Sequence, residues 1–280
     1  MAAAAKPKNK IKNRRTGFSI KRFLFTVFML MAVLTALLFL INKYFFKITN
    51  ILIITDDKYS YEEVLKASGI KEGQELLGLD VKKIKENIKD SLTYAESVNI
   101  SRIPPFTVRI EVKSEKGFFG IMLGGDYYII SRNFRVVDKI KVVGNIPAGI
   151  EFTPPDGIIT IETDEIKKCY MGDKIEFKDA DIYDFFKDIT ELADENMDMV
   201  AAINSIDIKN KFKVYMNYGD RLLLRLGVFE NISSKILNSF EIINSLPDYA
   251  KGIIDMTNEK TASFRYEENV LKLYKNEKNK

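Results

Sequence analysis

The side chains of this chain that could do acid–base chemistry are carboxylates that occur in close pairs. Two carboxylates that face each other across a cleft can hydrolyse a glycosidic bond. Neighbours within one turn or one helix start do not show such a cleft, so the spacing favours structural or solvent-exposed acids. The pairs are Asp56 with Asp57, Glu62 with Glu63, and Asp179 with Asp181.

Histidine is absent from the 280 residues, and Cys169 is the one cysteine. A Ser-His-Asp triad, a Cys-His dyad and a zinc site built on Cys and His are therefore excluded. One cysteine cannot form an internal disulfide. No nucleophile motif surrounds Cys169 and no glycine-rich phosphate loop occurs, so Cys169 is predicted to be a small apolar residue. We expect a non-enzymatic protein without a cofactor or a metal.

The binding chemistry of the chain is expected at its last predicted strand, Thr261–Tyr266. No later strand follows to cover it. An uncovered edge offers unpaired N–H and C=O groups to a strand of another protein. The alternative is a hairpin that only completes its own sheet.

A membrane anchor is predicted over residues 23–41, which carry no charge. As a helix they span roughly 28 Å, close to the ~30 Å hydrocarbon core of a bilayer. Eight basic and no acidic residues precede position 42. The positive-inside rule therefore predicts a single-pass type II protein, with a cytoplasmic basic arm at 1–22 and an extracytoplasmic C-terminus.

Two other interpretations of this N-terminal region are weaker. A cleaved signal peptide has a shorter apolar stretch followed by a small-residue cleavage site, whereas NKYFFK follows here and supplies the linker 42–47. A nucleic-acid role for the basic arm lacks a motif. The remaining chain has 35 basic and 39 acidic residues, a net charge of −4, so no nucleic-acid partner is expected.

The first exterior domain is predicted at 48–116, with the order β-α-α-β-β. A capping box at S60-Y-E-E63 starts one helix, and Asp80 starts the next. Pro104 and Pro105 form the turn between the last two strands, because proline presets φ. The result is an α+β layer of two helices on one face of a three-stranded sheet. The predicted strands are 48–55, 95–103 and 106–113.

The second exterior domain is predicted at 117–270 as a mixed, mainly-β domain. Helices are expected at 181–193 and 230–246, loops around 144–157, and a hairpin turn at 217–220. The residues GIIDMTNEKTASFRY close the domain as two short strands. The tail 271–280 is predicted to be disordered.

Three stretches carry a family resemblance: the single anchor, the segment R-I-P-P-F-T-V-R-I-E-V-K-S-E from Arg102, and G-D-R-L-L-L-R-L-G followed by G-I-I-D-M. Together they resemble the FtsQ/DivIB bacterial cell-division proteins, which have an anchor, a POTRA domain and a β domain. The resemblance covers about residues 20–270. The chain departs from the family pattern at ITDDKYS in the first turn and at KGFFGI after Glu115.

The resemblance implies a non-enzymatic scaffold of the divisome, located at the division septum. Its implied partners are bitopic coiled-coil proteins of the FtsB/DivIC and FtsL type, septal peptidoglycan synthases, and the lipid bilayer at residues 23–41. The residues expected to bind a partner on the last strand are Ala262, Ser263, Phe264 and Tyr266. Arg221 and Arg225, near the helix predicted at 230–246, are expected to add charge contacts. The rival functions are an anchored cell-wall hydrolase and a POTRA-type translocation component. The translocation proteins usually end in a membrane β-barrel, for which this chain is expected to have no room.

Overall fold

The computed structural model describes residues 20–142, 152–219, 221–258, 261–270 and 274. Its first element is the helix α1, Ile20–Phe45. Within the described residues it is the one helix long and apolar enough to cross a membrane, over Ile20–Leu40. An apolar helix over the predicted span 23–41 is thereby confirmed. Most of the basic arm, residues 1–19, lies outside the described residues.

The chain forms two compact units, which are described separately. The first unit contains the chain up to Ile54, then Tyr61–Asn87 and Asn99–Glu111. The second contains Thr55–Ser60, Ile88–Val98 and the chain from Val112 onward. The domain limits 48–116 and 117–270 stay predictions.

A three-stranded sheet with two helices follows α1, and the predicted β-α-α-β-β order is confirmed. The strand order is β1-β3-β2, with β1 parallel to β3. Gly69 has φ +64° and ends α2, and the Asp80 carboxylate accepts the backbone N–H of Lys83 at 3.1 Å and so caps α3. The elements are β1 (Asn50–Ile54), α2 (Tyr61–Ser68), α3 (Val81–Ser91), β2 (Ala95–Ile103) and β3 (Thr107–Ser114).

A nine-stranded mixed sheet organises the second unit. It begins with β4 (Gly117–Leu123), β5 (Asp126–Ser131), β6 (Val136–Lys141) and β7 (Ile159–Glu162). After a small hairpin of β8 (Ile166–Lys168) and β9 (Glu176–Phe177) come the helices α4 (Ala180–Glu195) and α5 (Met197–Ala201). The remaining elements are β10 (Ile203–Asp207), β11 (Val214–Tyr218), β12 (Leu222–Gly227), α6 (Ile232–Ser245), β13 (Gly252–Asn258) and β14 (Thr261–Tyr266).

The spatial order of this sheet is β14-β13-β12-β11-β10-β7-β4-β5-β6. The strand β7 pairs in parallel with both β10 and β4 and therefore joins the two halves. Loops are expected around 144–157 and no strand is predicted between them and the helix at 181–193, so the central strand β7 was missed. Residues 143–151 of that loop region lie outside the described residues.

The main core lies between the sheet and the helices α4 and α6. Phe119 and Phe186 meet there with ring centroids 4.7 Å apart, and the leucines at 222, 224 and 226 of β12 face the same core. Cys169 is buried in this core, and burial raises the pKa of its thiol to about 11. A smaller cluster on the other face contains Leu223, Ile253, Val270 and Tyr274.

Candidate partner-binding edge

The strand β14 forms one edge of the nine-stranded sheet, and all six of its residues are exposed. It pairs with β13 in antiparallel orientation on one side only. In the part of the chain that the structure describes, no strand lies beyond it. Its outer side therefore presents backbone groups that a further strand can pair with.

The outward backbone groups can be assigned from one hydrogen bond and the register of β13 with β14. The N–H of Gly252 donates to Arg221 O on the β12 side at 3.0 Å, so the next residue, Ile253, faces β14. Ile253 is opposite Arg265, which consequently faces β13. Because backbone direction alternates along a strand, Phe264 and Tyr266 direct their backbone groups to the free edge.

The side chains of β14 divide between the two faces of the sheet. Phe264 is opposite Ile254, whose side chain belongs to the core beneath α6, so Phe264 shares the α6 face. Ala262 and Tyr266 lie two residues away on either side and share that face, whereas Ser263 shares the opposite face with Asp255.

Gly252 lets β14 approach β13 closely. A Cβ atom at this position would lie 2.2 Å from Arg265 O and 2.7 Å from the Phe264 ring. Both distances are shorter than a van der Waals contact, so a larger residue must displace β14. Close backbone approach is a recurrent reason for glycine within a strand.

Arg221 directly precedes β12 and Arg225 lies on it, two strands from the edge. Arg221 donates to the carbonyls of Pro247 and Ala250 at 3.4 and 3.3 Å and holds the loop before β13. Arg225 forms an ion pair with Asp255 on β13 at 3.3 Å. Their visible contacts therefore support β13, which in turn positions β14.

The carboxylate of Asp255 is held by several donors. Its Oδ1 accepts from the N–H and the hydroxyl of Thr257 at 3.1 and 2.6 Å. Partial burial acts to raise the pKa of Asp255, but the hydrogen bonds from Thr257 and Arg225 outweigh it and leave the pKa below its usual value.

A groove of about 390 Å³ lies beside the start of β14, between that strand and α6. Ile242, Met256 and Ala262 supply apolar walls, and Asn238, Glu241 and Lys235 supply polar ones. Every second side chain of a strand added to β14 would lie on the same face of the sheet as this groove. Sequence reasoning missed the groove because its walls come from two separate segments, 231–242 and 256–262.

Acids of two of the close pairs, Asp56 and Asp179, have structural contacts. Asp56 accepts from the backbone N–H and the hydroxyl of Ser114 at 2.7 and 2.6 Å. Asp179 caps α4 through the N–H of Asp181 at 2.9 Å and forms an ion pair with Lys211. Among the described residues, no group of three or more His, Cys, Asp or Glu side chains could hold a metal ion.

Comparison with known proteins agrees with this architecture. A family model described as the POTRA domain of the FtsQ type matches residues 46–114. The cell division protein DivIB of Clostridium botulinum strain Hall is 25% identical over 260 residues, which cover 92% of this chain and 95% of the relative. The chain is similar to the FtsQ/DivIB proteins. DivIB of the Loch Maree strain is 24% identical over the same length and shares of both chains.

The matched POTRA residues span β1 to β3, and the DivIB similarity extends through most of the second unit. The resemblance to FtsQ/DivIB proteins is thereby confirmed, and with it a role related to cell division. The candidate membrane span α1 precedes the POTRA residues, as expected for a single-pass protein of this family.

Proposed function

We propose that the chain is a non-enzymatic, membrane-anchored scaffold of the divisome that binds bitopic division proteins by strand addition to β14. The observation that supports this most is the edge position of β14: all six residues are exposed, and no strand of the described residues pairs with its outer side. A nine-stranded sheet forms a rigid template, and main-chain hydrogen bonds to its edge give a partner affinity.

The proposed topology follows from the charges around α1. The basic N-terminal arm stays in the cytoplasm, and the chain after α1 lies outside, where the small coiled-coil proteins of the FtsB/DivIC and FtsL type have their exterior segments. In the proposal, a segment of such a partner pairs with Phe264 and Tyr266 and directs alternate side chains into the groove beside α6. Septal peptidoglycan synthases are further proposed partners, and the septum is the proposed location.

The test removes one edge donor without removing a ladder bond. Phe264→Pro deletes an outward N–H, whereas Phe264→Ala removes the ring and keeps that N–H. We expect the full chain with Phe264→Pro to lose binding to the FtsB/DivIC-type partner in a pull-down, and Phe264→Ala to lose less. Circular dichroism and Tm check that both variants fold.

Full retention of binding by a folded Phe264→Pro variant would contradict strand addition at β14. Hydrolysis of peptidoglycan by the purified chain would contradict the non-enzymatic scaffold. A fluorescent fusion should form a band at mid-cell during division, and an even membrane signal would contradict the septal location.

A further inference from the structure

Four large apolar side chains are exposed at the end of the first unit where α1 leads into the sheet. They belong to three separate segments: the end of α1, the loop between α2 and α3, and the turn between β2 and β3. The side chains and their exposed fractions are Phe45 69%, Leu77 44%, Ile103 43% and Phe106 47%. We call these four residues the juxtamembrane rim.

Backbone hydrogen bonds bring the three segments together. The N–H of Leu76 donates to Phe46 O at 2.8 Å, which places Leu77 beside the end of α1. The N–H of Thr49 donates to Phe106 O at 3.0 Å, which places the Pro104–Pro105 turn beside the same segment. The guanidinium of Arg102 donates to Leu79 O at 2.5 Å and links the turn to the loop.

The rim lies at the depth of lipid headgroups if α1 crosses the bilayer. The helix continues five residues beyond Leu40 to Phe45, a rise of about 7.5 Å. The headgroup layer adds roughly 5–7 Å on each side of the hydrocarbon core. Apolar and aromatic side chains are favoured in this layer, whereas a cluster of them in water is unfavourable.

We propose that the juxtamembrane rim inserts into the headgroup layer around α1 and holds the first unit against the lipid surface. This assigns RIPPF, residues 102–106, a second role besides turning the hairpin. The inference rests on the proposed membrane anchoring of α1, but not on partner binding at β14.

The contact is expected to be apolar and not electrostatic. Among the residues whose side chains the structure describes, the exposed charged residues of these segments are balanced: Lys47, Lys71 and Arg102 against Glu72, Glu75 and Asp80. Attraction to anionic lipid grows with the excess of basic residues, and these described residues have no such excess.

The chain has no tryptophan, so a single introduced one reports its own surroundings. Leu77→Trp and Phe106→Trp place the probe in the rim. Ile54→Trp is the matched control, because Ile54 is 42% exposed but lies at the other end of β1, about 13 Å along the strand. Each full chain is reconstituted in phosphatidylcholine vesicles that contain some lipid with a nitroxide on its headgroup.

We expect stronger quenching and a blue-shifted emission for the two rim probes than for Ile54→Trp. Adding Leu77→Asp to the Phe106→Trp chain should weaken the quenching of that probe. Replacing part of the phosphatidylcholine by phosphatidylglycerol should leave the quenching unchanged.

Several results would overturn the proposal. In the first, the chain resists alkaline extraction from the vesicles while its rim probes are quenched no more than the Ile54→Trp probe. That result excludes the rim contact and leaves α1 as an anchor. Release of the chain by alkaline extraction contradicts both the rim contact and the anchoring by α1. Quenching that requires phosphatidylglycerol indicates electrostatic adsorption instead. If the rim is shielded only when a division protein is co-reconstituted, the rim binds that protein and not lipid.

Discussion

The hydroxyl oxygen of Tyr274 lies 3.2 Å from Asp207 Oδ2, in the middle of the nine-stranded sheet. It lies equally far, 3.2 Å, from Oε1 of Glu162, which is opposite Asp207 on the neighbouring parallel strand. Burial, followed by the two carboxylates, raises the pKa of Tyr274, so its hydroxyl stays protonated and can donate. The chain that leaves β14 at the edge is thus fixed again near the centre of the sheet.

This contact lies within the tail predicted to be disordered. Residues 271–273 and 275–280 lie outside the described residues, but Tyr274 is buried, packs against Tyr215 and shares a cluster with Val270. A disordered tail is therefore at odds with the structure at this position. The apolar residues in the sequence V-L-K-L-Y, 270–274, indicated that this part of the tail could pack against the protein.

Tyr274→Phe should destabilise the second unit by about 1 kcal/mol, because the carboxylates of Asp207 and Glu162 lose the hydroxyl that donates to them. Hydrogen exchange of the β14 amides that pair with β13 should also become faster. Tyr266→Phe is the matched control, since the Tyr266 ring is exposed and its hydroxyl has a 3.5 Å contact with Glu268 at the surface. Equal stability of the two variants in denaturant unfolding would show that the contact is energetically neutral.

Gly252→Ala should displace β14 and lower stability by roughly 1–3 kcal/mol, the usual range for overpacking. The reason is the 2.2 Å distance between a Cβ at residue 252 and Arg265 O, since a backbone atom cannot rotate away. Gly78→Ala is a suitable control, because its nearest contact would be an ordinary 3.5 Å. Thermal unfolding compares the two, and similar Tm values would argue against the close approach.

Acid should weaken the β13 region through Asp255. Because the pKa of this carboxyl is lowered in the folded chain, its contribution is complete above the unfolded value of 3.8 and is lost as the pH falls through the folded pKa. Urea unfolding of the wild type and Asp255→Asn should therefore converge as the pH falls below about 4. A constant difference between pH 7 and pH 3 would contradict this assignment.

Local pattern predicted most elements, whereas long-range packing did not show in the sequence. The capping residues at Ser60 and Asp80, the Pro104–Pro105 turn and the alternation in β3 indicated the POTRA order, because each signal involves near neighbours. The edge position of Thr261–Tyr266 followed from its place as the last strand. The four-residue strand β7 gave a weak signal because a short apolar run is ambiguous, and the contact of Tyr274 with Asp207 joins residues 67 apart.

Cys169 should be almost unreactive in the folded chain at pH 8. Burial raises the pKa of its thiol to about 11, so roughly one molecule in a thousand carries the reactive thiolate, and the core blocks access. A maleimide or disulfide reagent should react fully only after the chain is unfolded in guanidinium. Cys169→Ala combined with Asn244→Cys provides the control, because position 244 is exposed on α6 and should react at once. Rapid modification of Cys169 in the folded wild type would place the thiol at the surface and contradict its position in the main core.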